Sequence, residues 1–239
     1  MSEPLNEPPS PPSPPPPPAD PIARSGNPWD RRVQLGWVKA LVECVRVFVL
    51  QPGRAWAQTL EKGDVAGPLI YALIVGWISA AIGILWQVLF GSWMLAYLPG
   101  NLQQEIGGYL VHTWVGFLAQ LLLLPFYMIL SLLFLSLIIH VSMLLVGGLQ
   151  KSRAGFEGTL RVGAFSTVSN LANVIPIVGG IIALVWSLVL GIMGLVSLHR
   201  TTTGRATAAV FLPMLLCCLC ILVVAVFAGA MVANLFSQN

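Results

Sequence analysis

Residues 67–90 have the sequence GPLIYALIVGWISAAIGILWQVLF, and none of these 24 residues carries a charge. An α-helix rises about 1.5 Å per residue, so this stretch would form a helix about 36 Å long. The hydrocarbon core of a bilayer is about 30 Å thick, and about 20 apolar residues suffice to cross it. The stretch therefore predicts a tilted transmembrane helix.

Further apolar segments follow this first span along the chain. There are four of them, at 114–146, 158–175, 177–198 and 206–236. Only helices and closed barrels satisfy their backbone hydrogen bonds inside a membrane, and these long apolar runs favour helices. The chain is therefore predicted to be an all-α polytopic membrane protein, with five transmembrane helices in a domain of residues 63–236.

The composition of the whole chain excludes other classes of protein. Charged residues make up 9% of its 239 residues, whereas a soluble domain has about 25%. Hydrophobic residues make up 56%, so too few charges remain to cover a water-facing surface. A net charge of +3 spread over such a chain also argues against a nucleic-acid partner. We therefore predict that the protein lies in a lipid bilayer.

The third apolar segment is the most polar of the five. It contains Arg161, Asn170 and Asn173 as well as several Ser and Thr residues. Such side chains are costly against lipid, so we expect other helices to enclose this segment and both asparagines to form interhelical hydrogen bonds. Pro176 and Gly179 then predict a tight turn, which would make the third and fourth segments an antiparallel hairpin.

The positive charges indicate an orientation. All 12 Lys and Arg residues lie before the first segment, around the start of the third, or between the fourth and fifth. Five spans place all three regions on one side of the membrane. Because cytosolic loops are rich in Lys and Arg, the N-terminus is predicted in the cytosol and the C-terminus outside.

The N-terminal region differs from the rest of the chain. Its first 28 residues hold 12 of the 18 prolines, and a segment so poor in large apolar residues cannot bury a core. Residues 1–34 are therefore predicted to be a disordered, Pro-rich cytosolic tail. Its PxxP spacings are typical of ligands for SH3-like modules, but so dense a proline run also produces them by chance.

An amphipathic helix is predicted between the tail and the first span, in a region of residues 35–62. Residues 37–50 show helical periodicity with a broad apolar face. Fourteen residues make a helix of about 21 Å, too short to cross a bilayer. The helix either lies in the membrane interface or packs on the cytosolic ends of the spans. Cys44 on this helix is a candidate for palmitoylation.

The sequence contains no motif for a catalytic nucleophile, a metal or a nucleotide, so no enzyme activity, cofactor or metal is predicted. Ionisable residues within or beside the spans form one candidate site on the cytosolic side. Its members are His140, Glu157, Arg161, His199 and Arg205. They could form a structural latch, bind a partner or lipid headgroup, or support proton or metal chemistry.

Four motifs along the chain resemble those of a known family. The first is Asp64-Val65-Ala66-Gly67-Pro68 before the first span, and the second is His140 followed by Gly147-Gly148. The third begins at Phe156-Glu157-Gly158 and ends at Ile175-Pro176-Ile177-Val178-Gly179. The fourth runs from His199 to Ala206. Together they resemble the Yip (Ypt-interacting protein) domain membrane proteins, especially bacterial-type members.

The resemblance implies five spans and a cytosolic N-terminus, and for a bacterial-type member a place in the bacterial inner (plasma) membrane. In eukaryotic members it also implies binding of Rab-type GTPases, self-association and roles in vesicle traffic. The expected function is a non-enzymatic scaffold in membrane organisation or partner recruitment, which associates with itself or with other membrane proteins. The alternative is a small transporter or lipid-translocating protein with a polar path along the third span.

Overall fold

A computed structural model describes residues 24–95, 97, 100 and 113–237 of the chain, and this part is helical without any strand. The short N-terminal helices are α1 (Arg32–Leu35), α2 (Trp37–Leu50) and α3 (Pro52–Gln58). The long ones are α4 (Ala66–Leu95), α5 (Thr113–Leu145), α7 (Gly179–His199) and α8 (Thr203–Ser237). Between α5 and α7 lie α6 (Gly155–Ser166) and a 3₁₀-helix, η1 (Thr167–Val174).

Four helices are long and apolar enough to cross a membrane, within the described part of the chain. The segments that meet this test are Ala66–Trp86, Leu122–Leu145, Gly179–His199 and Thr203–Phe227. They match four of the five apolar segments of the sequence. The protein is thus an all-helical membrane protein.

The third apolar segment is not one continuous α-helix, because it changes to a 3₁₀-helix at Thr167. The Thr167 hydroxyl donates to the Ala164 carbonyl at 2.7 Å, and the Ser169 hydroxyl donates to the Ser166 carbonyl at 2.9 Å. Such local bonds compete with the α-helical pattern and favour the tighter turn. The segment packs mainly against α4, α5 and α7, as its polar side chains predict.

A tight turn joins η1 to α7. The amide of Gly179 donates to the Ile175 carbonyl at 3.0 Å, and the amide of Val178 donates to the Pro176 carbonyl at 2.8 Å. Ile177 takes a left-handed backbone conformation with φ of 67°. A Cβ on Gly179 would overlap the carbonyl oxygen of Ala172, so the two arms approach too closely for any larger residue.

Residues 24–34 are ordered, so the predicted disorder of residues 1–34 is wrong for this part, while residues 1–23 lie outside the described chain. Asn27 and Asp30 close a turn, in which the Asp30 amide donates to Asn27 Oδ1 at 2.9 Å and the Asn27 amide donates to Asp30 Oδ2 at 3.1 Å. The turn places Trp29 in the core, where its indole N–H donates to the Gly67 carbonyl at 2.6 Å. A buried aromatic ring and paired polar groups offset the entropy of ordering.

Helix α2 packs on the bundle along one face. Ala40, Cys44 and Phe48 recur every four residues, and all three are fully buried. The ring of Phe48 lies 4.8 Å from that of Trp56 and 5.3 Å from that of Phe165. Burial also raises the pKa of the Cys44 thiol. A buried, protonated thiol is a poor nucleophile, so this position of Cys44 does not favour palmitoylation.

We expect Gly179→Ala to destabilise the protein by about 1–3 kcal/mol, because the added methyl group must displace backbone atoms. The matched control is Gly180→Ala, whose new Cβ would meet nothing nearer than Asn173 Oδ1 at 4.0 Å. Alanine there should leave stability unchanged or raise it by up to about 1 kcal/mol. Thermal unfolding in detergent measures both, and equal melting temperatures for the two variants would contradict the close packing of this turn.

Candidate functional site

The centre of the candidate site is the guanidinium group of Arg161, on α6. Its side chain is 1% exposed, and three of its nitrogens donate hydrogen bonds. Nη1 bonds Oδ1 of Asp30 at 3.1 Å, Nε bonds Oε1 of Glu157 at 3.0 Å, and Nη2 bonds the Asp64 carbonyl at 2.9 Å. A buried charge is tolerated only when it is paired in this way, and the planar fork of arginine suits several acceptors at once.

The acceptors of Arg161 carry further bonds to the loop before α4. Oε1 of Glu157 also accepts from the amide of Gly63 at 2.7 Å, and Oδ2 of Asp30 accepts from the amide of Leu60 at 3.3 Å. One guanidinium thus connects the N-terminal segment, the loop and α6. Asp30 was missed because it lay in the tail predicted as disordered. The buried Trp29 beside it was the available signal, since so large an apolar side chain is unusual in a disordered tail.

The Asp64, Gly67 and Pro68 motif forms the start of α4. Arg32 donates to the Asp64 carboxylate, whose Oδ1 also accepts from the Ala66 amide at 3.0 Å. The hydrogen bond from Arg32 holds the pKa of Asp64 below its ordinary value. A Cβ on Gly67 would lie 2.7 Å from Arg32 Nη1 and 2.8 Å from Asp64 Oδ2, so a larger residue there would shift these two side chains. Pro68 lies in the first turn, where a missing N–H costs nothing.

His140 and His199 share one hydroxyl group. Oγ1 of Thr159 lies 2.8 Å from Nδ1 of His140 and 3.0 Å from Nε2 of His199. The other ring nitrogen of His199 lies 2.7 Å from Oγ of Ser152. A hydroxyl has one hydrogen, so Thr159 can donate to only one of the two rings, and the tautomer of each histidine determines which group donates. Thr159 and Ser152 were missed because hydroxyl residues are frequent in the sequence and carry no distinctive spacing.

Arg205 binds the end of α5 and not the other candidate residues. Its Nη1 donates to the Gly147 carbonyl at 3.0 Å. Gly147 has a φ of 67°, and the Gly148 amide donates to the Met143 carbonyl at 2.7 Å, which together form a Schellman cap. The Gly-Gly motif therefore ends the helix, and Arg205 neutralises its partial negative charge.

A second network of charges lies beside the first and was not anticipated. Arg24 donates to the Trp56 carbonyl at 2.8 Å and to the Ser197 carbonyl at 2.7 Å. Its Nε lies 3.5 Å from Oε1 of Glu61, which also accepts from Nη2 of Arg200 at 2.8 Å. The N-terminal segment is thus tied to α3 and α7 as well as to α6.

We call these networks together the polar cap. The five predicted residues therefore occupy separate parts of it: Glu157 with Arg161, His140 with His199, and Arg205 at a helix end. The polar cap comprises Arg24, Asp30, Arg32, Glu61, Asp64, His140, Ser152, Glu157, Thr159, Arg161, His199, Arg200 and Arg205. It immobilises helix ends and the N-terminal segment. Among the described residues, no group of three His, Cys, Asp or Glu side chains could hold a metal ion.

The predicted interhelical hydrogen bonds of Asn170 and Asn173 are not formed among the described residues. Asn170 instead lines a cavity of about 770 Å³, together with Ser166 and Ser169 from the same segment. These polar side chains of the third segment therefore face a half-open cavity between the helices.

Long apolar helices joined at one end by a charged cap define an integral membrane protein. A family model described as the Yip1 domain matches residues 45–225, and the chain belongs to this family. No match was found among curated proteins or solved structures.

Removing the Arg161 charge should be strongly destabilising. Arg161→Met leaves the buried Asp30 carboxylate and the partly exposed Glu157 carboxylate without this cation, and breaking a buried pair costs about 3–5 kcal/mol. Arg161→Lys should lower the free energy of unfolding by a smaller amount, because a lysine ammonium cannot reproduce all three hydrogen bonds of the planar guanidinium. The control is Arg46→Met on the exposed side of α2. The measurement is the melting temperature of each of the three variants. A decrease for Arg161→Met no larger than that for Arg46→Met would contradict the central role of Arg161.

The Asp64–Arg32 pair should make stability depend on acid pH. The folded-state pKa of Asp64 lies below its unfolded value. The pair therefore stabilises fully above about pH 3.9, and this contribution disappears as the pH falls through the lower folded-state pKa. The Asp64 side chain is 49% exposed, so the effect should be at most about 1 kcal/mol. The melting-temperature difference between wild type and Asp64→Asn should shrink below pH 4, and a difference that grows there would refute the pairing.

Proposed function

We propose that this Yip-family protein is a non-enzymatic membrane scaffold that inserts α2 into one leaflet as a fixed wedge. The observation that carries the proposal is a stripe of three exposed valines on α2, which we call the valine stripe: Val38, Val42 and Val49. The exposed fractions of Val38, Val42 and Val49 are 77%, 60% and 41%. Exposed apolar surface of this kind is typical of a site that meets a membrane or a partner.

The position of the valine stripe fits a membrane interface. On the helical wheel it lies between the buried face of α2 and a charged edge formed by Lys39, Glu43 and Arg46. With the stripe in the acyl region, the charged edge reaches the headgroups. Since α2 is held on the bundle by Phe48, its depth would be set by the whole protein. An apolar helix placed at fixed depth expands one leaflet, which is a route to sensing or shaping curvature.

We also propose five membrane crossings, with the N-terminus in the cytosol and the C-terminus outside. The twelve α-helical residues of α6 and the eight 3₁₀ residues of η1 together rise about 34 Å, sufficient for a fifth crossing. With five crossings, all 12 Lys and Arg residues share the cytosolic side. The resemblance to bacterial-type members supports a location in the bacterial inner membrane.

The proposed partners of this protein are the lipid bilayer, a second copy of the chain, or another membrane protein. The polar cap supports this proposal because it holds a stable surface at the membrane face. Its buried side chains are paired with one another and offer no catalytic pair, which favours a non-enzymatic role. A second candidate is translocation of a small molecule or lipid along the third segment, favoured by the polar residues that line the cavity.

The wedge can be tested with Val38→Gln/Val42→Gln, which removes apolar surface without adding charge. Each buried valine contributes about 1.5 kcal/mol or more, so we expect the variant to lose most of its preference for highly curved membranes. The measurement is the distribution of reconstituted protein between small and large vesicles. The matched control, Val38→Leu/Val42→Leu, should retain the preference. Equal distributions for wild type and the glutamine variant, with unchanged melting temperatures, would overturn the proposal.

A further inference from the structure

The cavity of about 770 Å³ lies between α4, α5, the α6–η1 segment, α7 and α8. Its walls are mostly apolar, with Leu132, Ile139 and Leu188 among the lining residues. Pockets that bind small molecules measure about 300–1,000 Å³ and combine apolar walls with a few polar groups. The size and lining of this cavity are typical of such a site.

A polar line follows one side of the cavity. Thr159, Gly163 and Ser166 are spaced by four and three residues, so they lie on one face of α6, and Asn170 of η1 also lines the cavity with them. On the facing wall, Ser136 of α5 is directed at the same place, because a Cβ on Gly163 would lie 3.0 Å from its Oγ.

Within the part of the chain that the structure describes, two hydroxyl groups of this cavity have no hydrogen-bond partner. Ser136 is 3% exposed and Ser166 is 9% exposed, and neither Oγ forms a hydrogen bond. Other lining hydroxyls differ, since those of Ser131 and Ser187 donate to carbonyls of their own helices at 3.1 and 2.7 Å. A buried hydroxyl without a partner is costly, so the pair indicates a group that the protein itself does not supply.

The chemistry of the walls restricts what that group is. No Asp, Glu, Lys or Arg is among the described residues that line the cavity, and the guanidinium of Arg161 is bonded elsewhere. An anionic headgroup would therefore be buried without a counter-charge, which is strongly unfavourable. Hydroxyl and amide side chains instead suit an uncharged hydroxyl or carbonyl group.

We propose that the cavity binds one uncharged amphiphile, a long apolar molecule whose hydroxyl or carbonyl group lies between Ser136 and Ser166. The amide of Asn170 is a further polar group of the lining, and the apolar part of the ligand lies against the apolar walls. This site is separate from the valine stripe. Ligand binding in the cavity requires neither insertion of α2 nor transport. A result that contradicts the ligand site would therefore leave both proposed functions standing, and a result that contradicts either function would leave the ligand site standing.

The probes for the test are a photoreactive long-chain alcohol, the matching carboxylic acid and the matching hydrocarbon. Each is crosslinked to the full chain in lipid nanodiscs, and the labelled residues are located by mass spectrometry. We expect the alcohol to label residues of α5 and the α6–η1 segment. We expect the acid and the hydrocarbon to label them at least about tenfold less, which corresponds to about 1.4 kcal/mol.

Two matched pairs of variants locate the site. Gly191 lines the cavity and a Cβ there meets no atom within 4 Å, so Gly191→Leu narrows the cavity without a clash. Gly83→Leu is the control, because Gly83 is equally open but lies outside the cavity. Ser136→Ala/Ser166→Ala removes the unpartnered hydroxyls. Its control is Ser79→Ala, since the Ser79 hydroxyl already donates to the Val75 carbonyl at 2.8 Å.

Loss of alcohol labelling in Gly191→Leu and in the double serine variant, with both controls unchanged, is the expected result. Equal labelling by alcohol and hydrocarbon would overturn recognition of a polar group, and equal labelling by the acid would overturn the uncharged class. Labelling that persists in Gly191→Leu would overturn the site itself. Melting temperatures verify folding, and lipids retained by wild type but lost from Gly191→Leu identify the natural source of the ligand.

Discussion

The buried guanidinium of Arg161 is the constraint on which the rest of the polar cap depends. Its charge lies where water cannot reach it, so the fold must supply acceptors, and it takes them from three separate segments. Asp30 is the most distant of these, 131 residues away in sequence. Binding Asp30 orders the N-terminal segment, and this places Trp29 against Tyr71 at 5.6 Å and Arg32 beside Asp64. An electrostatic requirement in the third segment thus determines how the first described residues fold.

The order imposed on the N-terminal segment has consequences for α2, which follows it directly. Trp29 contacts Trp37 at 5.7 Å, and Phe48 packs between Trp56 and Phe165 at the other end of the helix. A helix held at both ends cannot change its depth independently, whereas a flexibly attached amphipathic helix could. This rigidity is what connects the polar cap to the proposed wedge. The charged side chains of the cap are bonded to one another and to backbone carbonyls, whereas the hydroxyls of Ser136 and Ser166 in the cavity have no partner among the described residues.

Much of the fold could be predicted, because the signals were local. The uncharged run of residues 67–90 lies within α4, and Gly147-Gly148 ends α5 as glycine pairs commonly do. The candidate site was predicted only in part. Glu157 and Arg161 are four residues apart on one helix, so their pairing could be expected from the sequence. The partnership of His140 with His199 through Thr159 joins three helices, and no spacing along the chain encodes it. Asp30 was predicted to lie in a disordered tail because its partner Arg161 is 131 residues away in the sequence, so no local pattern indicated the pair.

The amino-acid sequence by itself determined that this chain is a helical membrane protein, because a bilayer selects on apolar length and charge, and both are properties of consecutive residues. It also determined which segment would be buried among the others, since the polar side chains of residues 158–175 are costly against lipid. Only the tertiary structure decided which charges neutralise Arg161, which face of α2 stays exposed, and that Ser136 and Ser166 share a cavity. These outcomes depend on distances between residues far apart in the chain, and hydrogen bonds and ion pairs act only at contact distance.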